Sequence, residues 1–468
     1  MLHNTAIFIF RRDFRLYDNT GLIQALKESE SVIPLFIFTP AQISGQNKYK
    51  SSNAIQFMIA SLYDLNEQIK KANPKCQLWT FYGAELDVLK KILKKIAIDA
   101  IYVNADYTPY SIKRDTDISA FCHSHDIAFH SHTDVLLLDT NDFAAKNGNR
   151  YHNFTIFYKN ALKQTIRKPK SNTYTNYKPL LADFRQWKLH ILDKIFLNKN
   201  YYEINQNIAI QGGRTHALAI LRKIDSFKNY KHMRNLPEYP TTKLSAYNKF
   251  GTISVREAYY AFTKEKTGEL CKGLYWRDFY YYVGVWFKQF YRYDHIPHGV
   301  SNKNIVWENS TKWYKLWKNG QTGVPFVDAA MREMNTTGFM HNRGRLIVSQ
   351  FLVKDLLIDW KYGERYFSTR LVDIDRAQNV GNWNWSSSYG LDNTPFLRIF
   401  NPWTQSKTYD PECIYIKRWI PELQDVENKH IHRWDKYHTL YKIDYPEPIV
   451  DHAVQRTKFI KFYKKYVS

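Results

Sequence analysis

Five short apolar runs punctuate the first 130 residues, at 6–10, 32–38, 77–82, 100–104 and 127–130, with amphipathic stretches between them. Runs of this length, rich in Ile, Val, Phe and Tyr, read as buried strands, and the 3.6-residue periodicity between them reads as helices. Strands joined by helices pair in parallel through crossovers, so this region is expected to form a doubly wound, five-stranded parallel sheet, an α/β domain. No GxGxxG follows the first run, so a dinucleotide site of the usual Rossmann kind is not supported. After Gly212-Gly213 the strand signal vanishes, tryptophans accumulate, and helical periodicity runs to the end. The expected organisation is an α/β domain over 1–130, an Asn/Lys/Tyr-rich inter-domain linker over 131–205, and an all-α domain over 206–468.

Within the helical part, Pro325 marks a helix start, Val327, Ala330, Met331 and Met334 share one face, and Gly338 supplies the stop. The next stretch, 342–359, is apolar on nearly every side and is expected to be one buried central helix. No apolar run is long enough to span a membrane, and the N-terminus enters a strand with no leader pattern, so an intracellular address is expected. The four cysteines, Cys76, Cys122, Cys271 and Cys413, lack metal or disulfide spacing and are read as reduced thiols. Lys and Arg number 67 against 44 Asp and Glu, a net charge of +23 that concentrates a polyanion at the surface. A lysine-rich composition alone produces the same excess, so the position of the charges has to decide.

The richest segment in chemistry is 373–385, DIDRAQNVGNWNW, where Asp375, Asn379 and Trp383 recur every four residues and would line one face of a helix. Trp385 lies two residues beyond Trp383, about 200° further round, so the two indoles look into different spaces. A tryptophan pair in a helical domain is ordinarily core. Beside two Asp and an Asn, all costly to bury unpaired, it points to a polar ligand inside. Asn342, Arg343 and Arg345 open the apolar 342–359 stretch, and Asp373 is the candidate partner that makes a buried Arg345 tolerable. Thr241, Thr242, Lys243, Leu244 and Ser245 offer hydroxyls, backbone N–H groups and a cation before a helical run, a surface that suits phosphate.

The strings IFIFRRDFRLYDNTGL (7–22), TTKLSAY (241–247), LYWRDFYYY (274–282), TGVPFVDAAMREMNTTGFMHNRGR (322–345), WKYGERYF (360–367), LVDIDRAQNVGNWNW (371–385) and RIFNPWTQSKTYDP (398–411) resemble, in order, those of the photolyase/cryptochrome family. The likeness is closest to the class I-like photolyases of cyclobutane pyrimidine dimers. It implies an N-terminal antenna domain, a helical domain holding FAD, UV-damaged DNA as partner, and light-dependent repair by a deoxyribodipyrimidine photo-lyase acting as a monomer. Carried over residue by residue, it puts Tyr230, Thr241, Thr242, Lys243, Leu244 and Ser245 around the FAD phosphates and ribityl chain, and Asn342, Arg345, Asp373, Asp375 and Asn379 around the flavin ring. Asn379 would set an amide donor beside flavin N5. Trp383, Trp360 and Trp307 match the electron-relay positions; Trp276 and Trp385 match the indoles flanking a flipped-out dimer. Arg234, Arg277, Arg343, Arg398 and Lys407 match positions near DNA or the pocket rim, and Leu346 stands where a Met is usual.

Gly273 occupies the position of a Glu that hydrogen-bonds the dimer, three residues before Trp276. The (6-4) photolyases resemble the chain less, because neither Asn342 nor Leu346 is His. Folate-binding members carry Asn-Glu where this chain has Tyr110-Ser111, so a deazaflavin or second flavin is the expected antenna. A cryptochrome-type photoreceptor is the rival reading: Gly273 favours it, while Asn379 and the short tail after Pro446 oppose it. A nucleotide-dependent α/β enzyme without FAD is disfavoured, since the first domain has no recognisable phosphate loop.

Overall fold

The computed structural model describes residues 2–140, 143, 150–185, 201–264, 268–292, 305–388 and 397–467. The strands β1 (His3–Phe10), β2 (Ser29–Phe38), β3 (Trp79–Tyr82), β4 (Ala100–Asn104) and β5 (Ala128–His132) pair in parallel in the order β3-β2-β1-β4-β5. Each falls on an apolar run of the sequence. Because a strand presents alternate residues to opposite faces, β1 feeds two cores at once. Ile7 and Ile9 join Ile33, Leu35, Trp79 and Phe81 on one face, closed by the helices Glu85–Leu93 and Pro109–His123. Ala6, Phe8 and Phe10 face the other way, into a core that includes the Thr20–Glu28 and Ser52–Ala72 helices and continues into the helical domain. The rings of Phe14 and Phe57 meet Phe250 across that boundary at 6.1 and 5.1 Å.

The stretch 131–205 is described except for 141–142, 144–149 and 186–200. It is packed: Tyr177 bridges Val32 beside β2, and the Phe154–Ala161 helix buries Phe154, Phe157 and Ala161 against the helical domain. In that domain Pro325–Thr337 forms the expected helix and stops at Gly338 (φ 70°), where a Cβ would lie 2.6 Å from Asn53. The expected single helix over 342–359 is shorter. It runs from Asn342 to Gln350, continues as a π turn from Phe351 to Asp355, and is broken by Leu357 at φ 48°. The Leu357 carbonyl accepts the N–H groups of Glu308 and Asn309 instead of serving a further helical turn. Among the described residues no helix is long and apolar enough to cross a membrane, no cluster suits a metal ion, and the four cysteines are free and buried.

Candidate functional site

A cavity of about 660 Å³ opens in the helical domain between the Gly268–Trp286 helix, the Asn342–Gln350 helix and the segment 241–245. A recess of about 100 Å³ adjoins it, sharing Asn342, Arg345, Leu346, Asp373, Gln378 and Asn382 and ending at Asn379 and Trp383. Tyr230, Thr241, Thr242, Lys243, Leu244, Ser245, Arg234, Gly273, Trp276, Arg343, Trp385 and Arg398 all line the larger space, whereas Arg277, Lys407, Trp307 and Trp360 line neither.

The Arg376–Ser387 helix sets the recess. Its cap, Asp375, accepts the N–H groups of Ala377 and Gln378 at 3.1 and 3.3 Å through Oδ1. Oδ2 accepts from Arg12 Nη2 at 2.6 Å and from the Tyr281 hydroxyl. Burial alone would raise this carboxyl, but Arg12, then Lys249, hold it below the usual range. Arg12 also donates to Asp106 at 3.1 Å, so a residue from the end of β1 fixes the start of a helix 363 positions later. The sequence offered only the RRDFRL string as a hint of this.

Asn379 departs from expectation. Its side-chain nitrogen donates to the Glu364 carbonyl (2.9 Å), the Glu364 carboxylate (2.8 Å) and Ser368 Oγ (3.0 Å). Two of these partners accept only, so the network assigns the amide orientation and leaves the Asn379 carbonyl for the recess. The group offered to a ligand is an acceptor, not the expected amide donor. Trp383 is 2% exposed, edge-on to Phe367 at 5.0 Å. A Cβ at Gly363 would sit 2.1 Å from its ring, so glycine lets the helix Trp360–Arg370 approach. Trp360 opens that helix, and Glu308 and Asn309, next to Trp307, bond to Leu357 just before it. The three indoles thus lie on successive neighbouring segments, and only Trp383 lines the recess.

Arg345 takes the partner foreseen for it: Nη2 donates to both Asp373 oxygens at 3.1 and 2.9 Å, while Nε holds the Met340 carbonyl at 2.9 Å. Trp276 and Trp385 both border the cavity. Phe154, from the stretch expected as linker, stacks on Trp276 with ring centroids 3.5 Å apart and planes 9° from parallel. That backing ring carried no signal in the sequence. His341, also lining the space, caps its helix by accepting the Arg343 N–H through Nδ1, and burial pushes it down to about 4, so it stays neutral.

The basic residues divide. Arg398 lines the cavity and is exposed. Arg234 pairs with Glu269 at 3.1 Å, and Arg343 lies over Tyr409 at 3.9 Å and donates to Asn235 at 2.7 Å. Lys407 is exposed on the Pro402–Tyr409 helix without bordering the cavity. Arg277 is not at the rim. It is 9% exposed and donates to the Val135 carbonyl at 2.7 Å, because it lies about 100° round the helix from Trp276.

A second cavity, about 280 Å³, lies at the carboxyl ends of the strands and is lined by Arg11, Arg12, Asp106, Tyr110, Ser111, Arg114 and Lys249 among others. Open parallel sheets bind ligands at this edge, where the strand order reverses, here between β1 and β4.

Residues 6–174 match the family described as DNA photolyase, and residues 270–465 match the FAD binding domain of DNA photolyase. The deoxyribodipyrimidine photo-lyase of Buchnera aphidicola is 33% identical over 483 residues, covering 97% of this chain and 96% of its own. An archaeal photolyase from Sulfolobus tokodaii, solved with two FAD molecules, is 38% identical and matches with a TM-score of 0.87 over 98% of this chain and all (100%) of the other. A Synechocystis cryptochrome, 27% identical, gives 0.86 over 98% and 99%.

Proposed function

The chain belongs to the photolyase/cryptochrome family as an FAD-dependent deoxyribodipyrimidine photo-lyase, and on that premise we propose that it repairs cyclobutane pyrimidine dimers in DNA by light-driven electron transfer. The observation that carries the proposal is the cavity itself: two indoles, Trp276 and Trp385, border a space that narrows to a polar recess at Asn379. Removing a poorly stacked lesion from the duplex costs a few kcal/mol, and stacking on aromatic rings returns about 1–3 kcal/mol per base. Phe154 stacks on Trp276 and would limit its ring's freedom to turn. Arg398 and Arg234, which line the cavity, and Lys407, exposed on the Pro402–Tyr409 helix, would contact phosphates, which positions the duplex without reading its sequence.

The residues present fit FAD. Hydroxyls, backbone N–H groups and Lys243 along 241–245, with Tyr230, would hold the phosphates and ribityl chain. The Arg345–Asp373 pair, Asn342, Asp375 and Asn379 would border the ring. When bound, reduced FAD would supply photo-excited electron-transfer chemistry there, lending an electron to the dimer and recovering it. With its amide hydrogens turned to Glu364, the Asn379 carbonyl would accept a ring N–H and repel a bare ring nitrogen, which would favour the reduced cofactor. Trp383, Trp360 and Trp307 would relay electrons to it from near the surface. No general acid is required, in keeping with a His341 that remains neutral.

The cavity at the strand ends would take the antenna chromophore, a deazaflavin or second flavin. Gly273 favours the rival photoreceptor reading, in which the same cofactor and indoles signal. Illuminating the reduced protein with oligonucleotides containing either lesion separates the readings. Reversal of the cyclobutane dimer, with the (6-4) product untouched, is expected. Binding of the dimer with no repair at any light dose would establish the photoreceptor instead.

A further inference from the structure

The π turn Phe351–Asp355 places Lys354 in the interior, 1% exposed, where lysine is seldom found. Its Nζ donates to Ser388 Oγ at 3.0 Å, to Gln350 Oε1 at 3.4 Å and to the main-chain carbonyl of Arg398. The same Gln350 oxygen accepts the Phe400 N–H at 3.1 Å, and the Ser388 carbonyl accepts the Tyr463 hydroxyl at 3.2 Å from the C-terminal helix His452–Val467. The adjacent carboxylate, Asp355, is already held by His452 at 2.5 Å. Burial lowers the Lys354 ammonium to about 7, so the position is costly for a charge and needs every acceptor it has. Those acceptors are not scattered. Ser388 caps the helix that carries Trp385, in a left-handed conformation (φ 64°), and Arg398 borders the large cavity.

We propose that Lys354 is a positioning residue for lesion binding: by holding Ser388 and the Arg398 carbonyl on one nitrogen, it fixes Trp385 and Arg398 relative to each other across the cavity rim. The inference rests on reading that cavity as the lesion site, and the tether can be tested without it.

The carbonyl held by Lys354 belongs to the Arg398–Ile399 bond, a trypsin site. K354M keeps the apolar stem and removes the donor; in the full-length holoprotein it should be cut after Arg398 about tenfold faster than the wild type, the scale of one charged hydrogen bond. S388G removes the hydroxyl where glycine tolerates the backbone and should accelerate cleavage less, in the same direction. With a duplex carrying one cyclobutane dimer, K354M should bind about tenfold more weakly while photoreduction of its flavin keeps the wild-type rate. Equal cleavage of K354M and wild type overturns the tether, and unchanged lesion affinity overturns the positioning role. If the wild type itself fails to bind the lesion duplex while the cleavage difference stands, the lesion reading falls and the tether is upheld.

Discussion

Around the cavity at the strand ends, charged side chains hold one another. Arg12 sits among Asp106, Asp375 and Tyr281, and Arg11 and Arg114 share Asp115 at 2.6 and 3.0 Å. Around the cavity of the helical domain, Lys243 and Lys272 lie over the rings of Phe339 and Tyr158, and Arg398 and Asn342 are exposed. The first wall is a joint between the domains held mostly by its own ion pairs, with Arg11 Nη2 and Arg114 Nη2 left as buried donors without a hydrogen-bond partner among the described residues. The second keeps cations and hydroxyls turned toward a space, as a site for an anionic cofactor and a polyanion must.

The sharpest test of this contrast is Arg12→Met. It leaves the carboxylates of Asp106 and Asp375 buried without their guanidinium, and breaking a buried pair in this way costs about 3–5 kcal/mol. Arg398→Ala, at the open rim, should leave stability within about 0.5 kcal/mol. Urea unfolding of both variants makes the comparison, and similar losses would erase it. The Asp375 carboxyl is held low, so the Arg12 contribution is complete above the ordinary carboxylate range and fades as pH falls through the folded value. The deficit of Arg12→Met should therefore shrink in acid.

Lys249 distinguishes the cavities by pH. It lines the strand-end space, and burial, followed by repulsion from Arg12, lowers its ammonium to about 8. Below that pH it attracts an anion; above it the attraction is lost. The affinity of that cavity for FMN, measured by fluorescence titration, should fall above pH 8 by up to about tenfold per unit. Lys249→Met should flatten the profile. FAD in the helical domain, whose neighbouring His341 titrates near 4, should be retained evenly from neutral to alkaline pH.

The central strands β1, β2 and β4 were legible because they bury nearly continuous apolar runs on both faces, and the Pro325–Gly338 helix because both its ends carry start and stop chemistry; β5, only partly buried, showed itself by the short run that leads into it. The Arg345–Asp373 pair could be anticipated, since an arginine at the mouth of an apolar helix calls for a carboxylate, although in the structure it is Asp373 that is buried and Arg345 only partly so. What stayed hidden depends on distant partners. Arg12 reaches Asp375 across the chain, Phe154 braces Trp276 from a stretch of polar composition, and Asn379 turns its amide toward Glu364. None of these leaves a local period. The π turn at 351–355 escaped for the opposite reason: its apolar residues satisfy a plain helix equally well.

Gly273 tests the open cavity on the smallest scale. A Cβ there would meet nothing within 4 Å, and the residue borders the cavity on the same face as Trp276. Gly273→Glu therefore has room, and replacing a mid-helix glycine with a good helix former gains about 0.5–1 kcal/mol. Glu269 lies one turn earlier and already pairs with Arg234, so like-charge repulsion takes back about 0.2–0.5 kcal/mol. Stability should rise slightly whatever the ligand, which provides a control independent of function. A hydrogen bond accepted by the new carboxylate from a dimer adds a net ~0.5–1.5 kcal/mol, whereas its charge weakens attraction to plain duplex at low salt. The preference for dimer-containing over undamaged DNA should grow between about twofold and tenfold, and the yield of repair per photon should rise with it. A more stable variant whose preference for the dimer falls would mean that the space beside Gly273 is shaped for something other than this lesion.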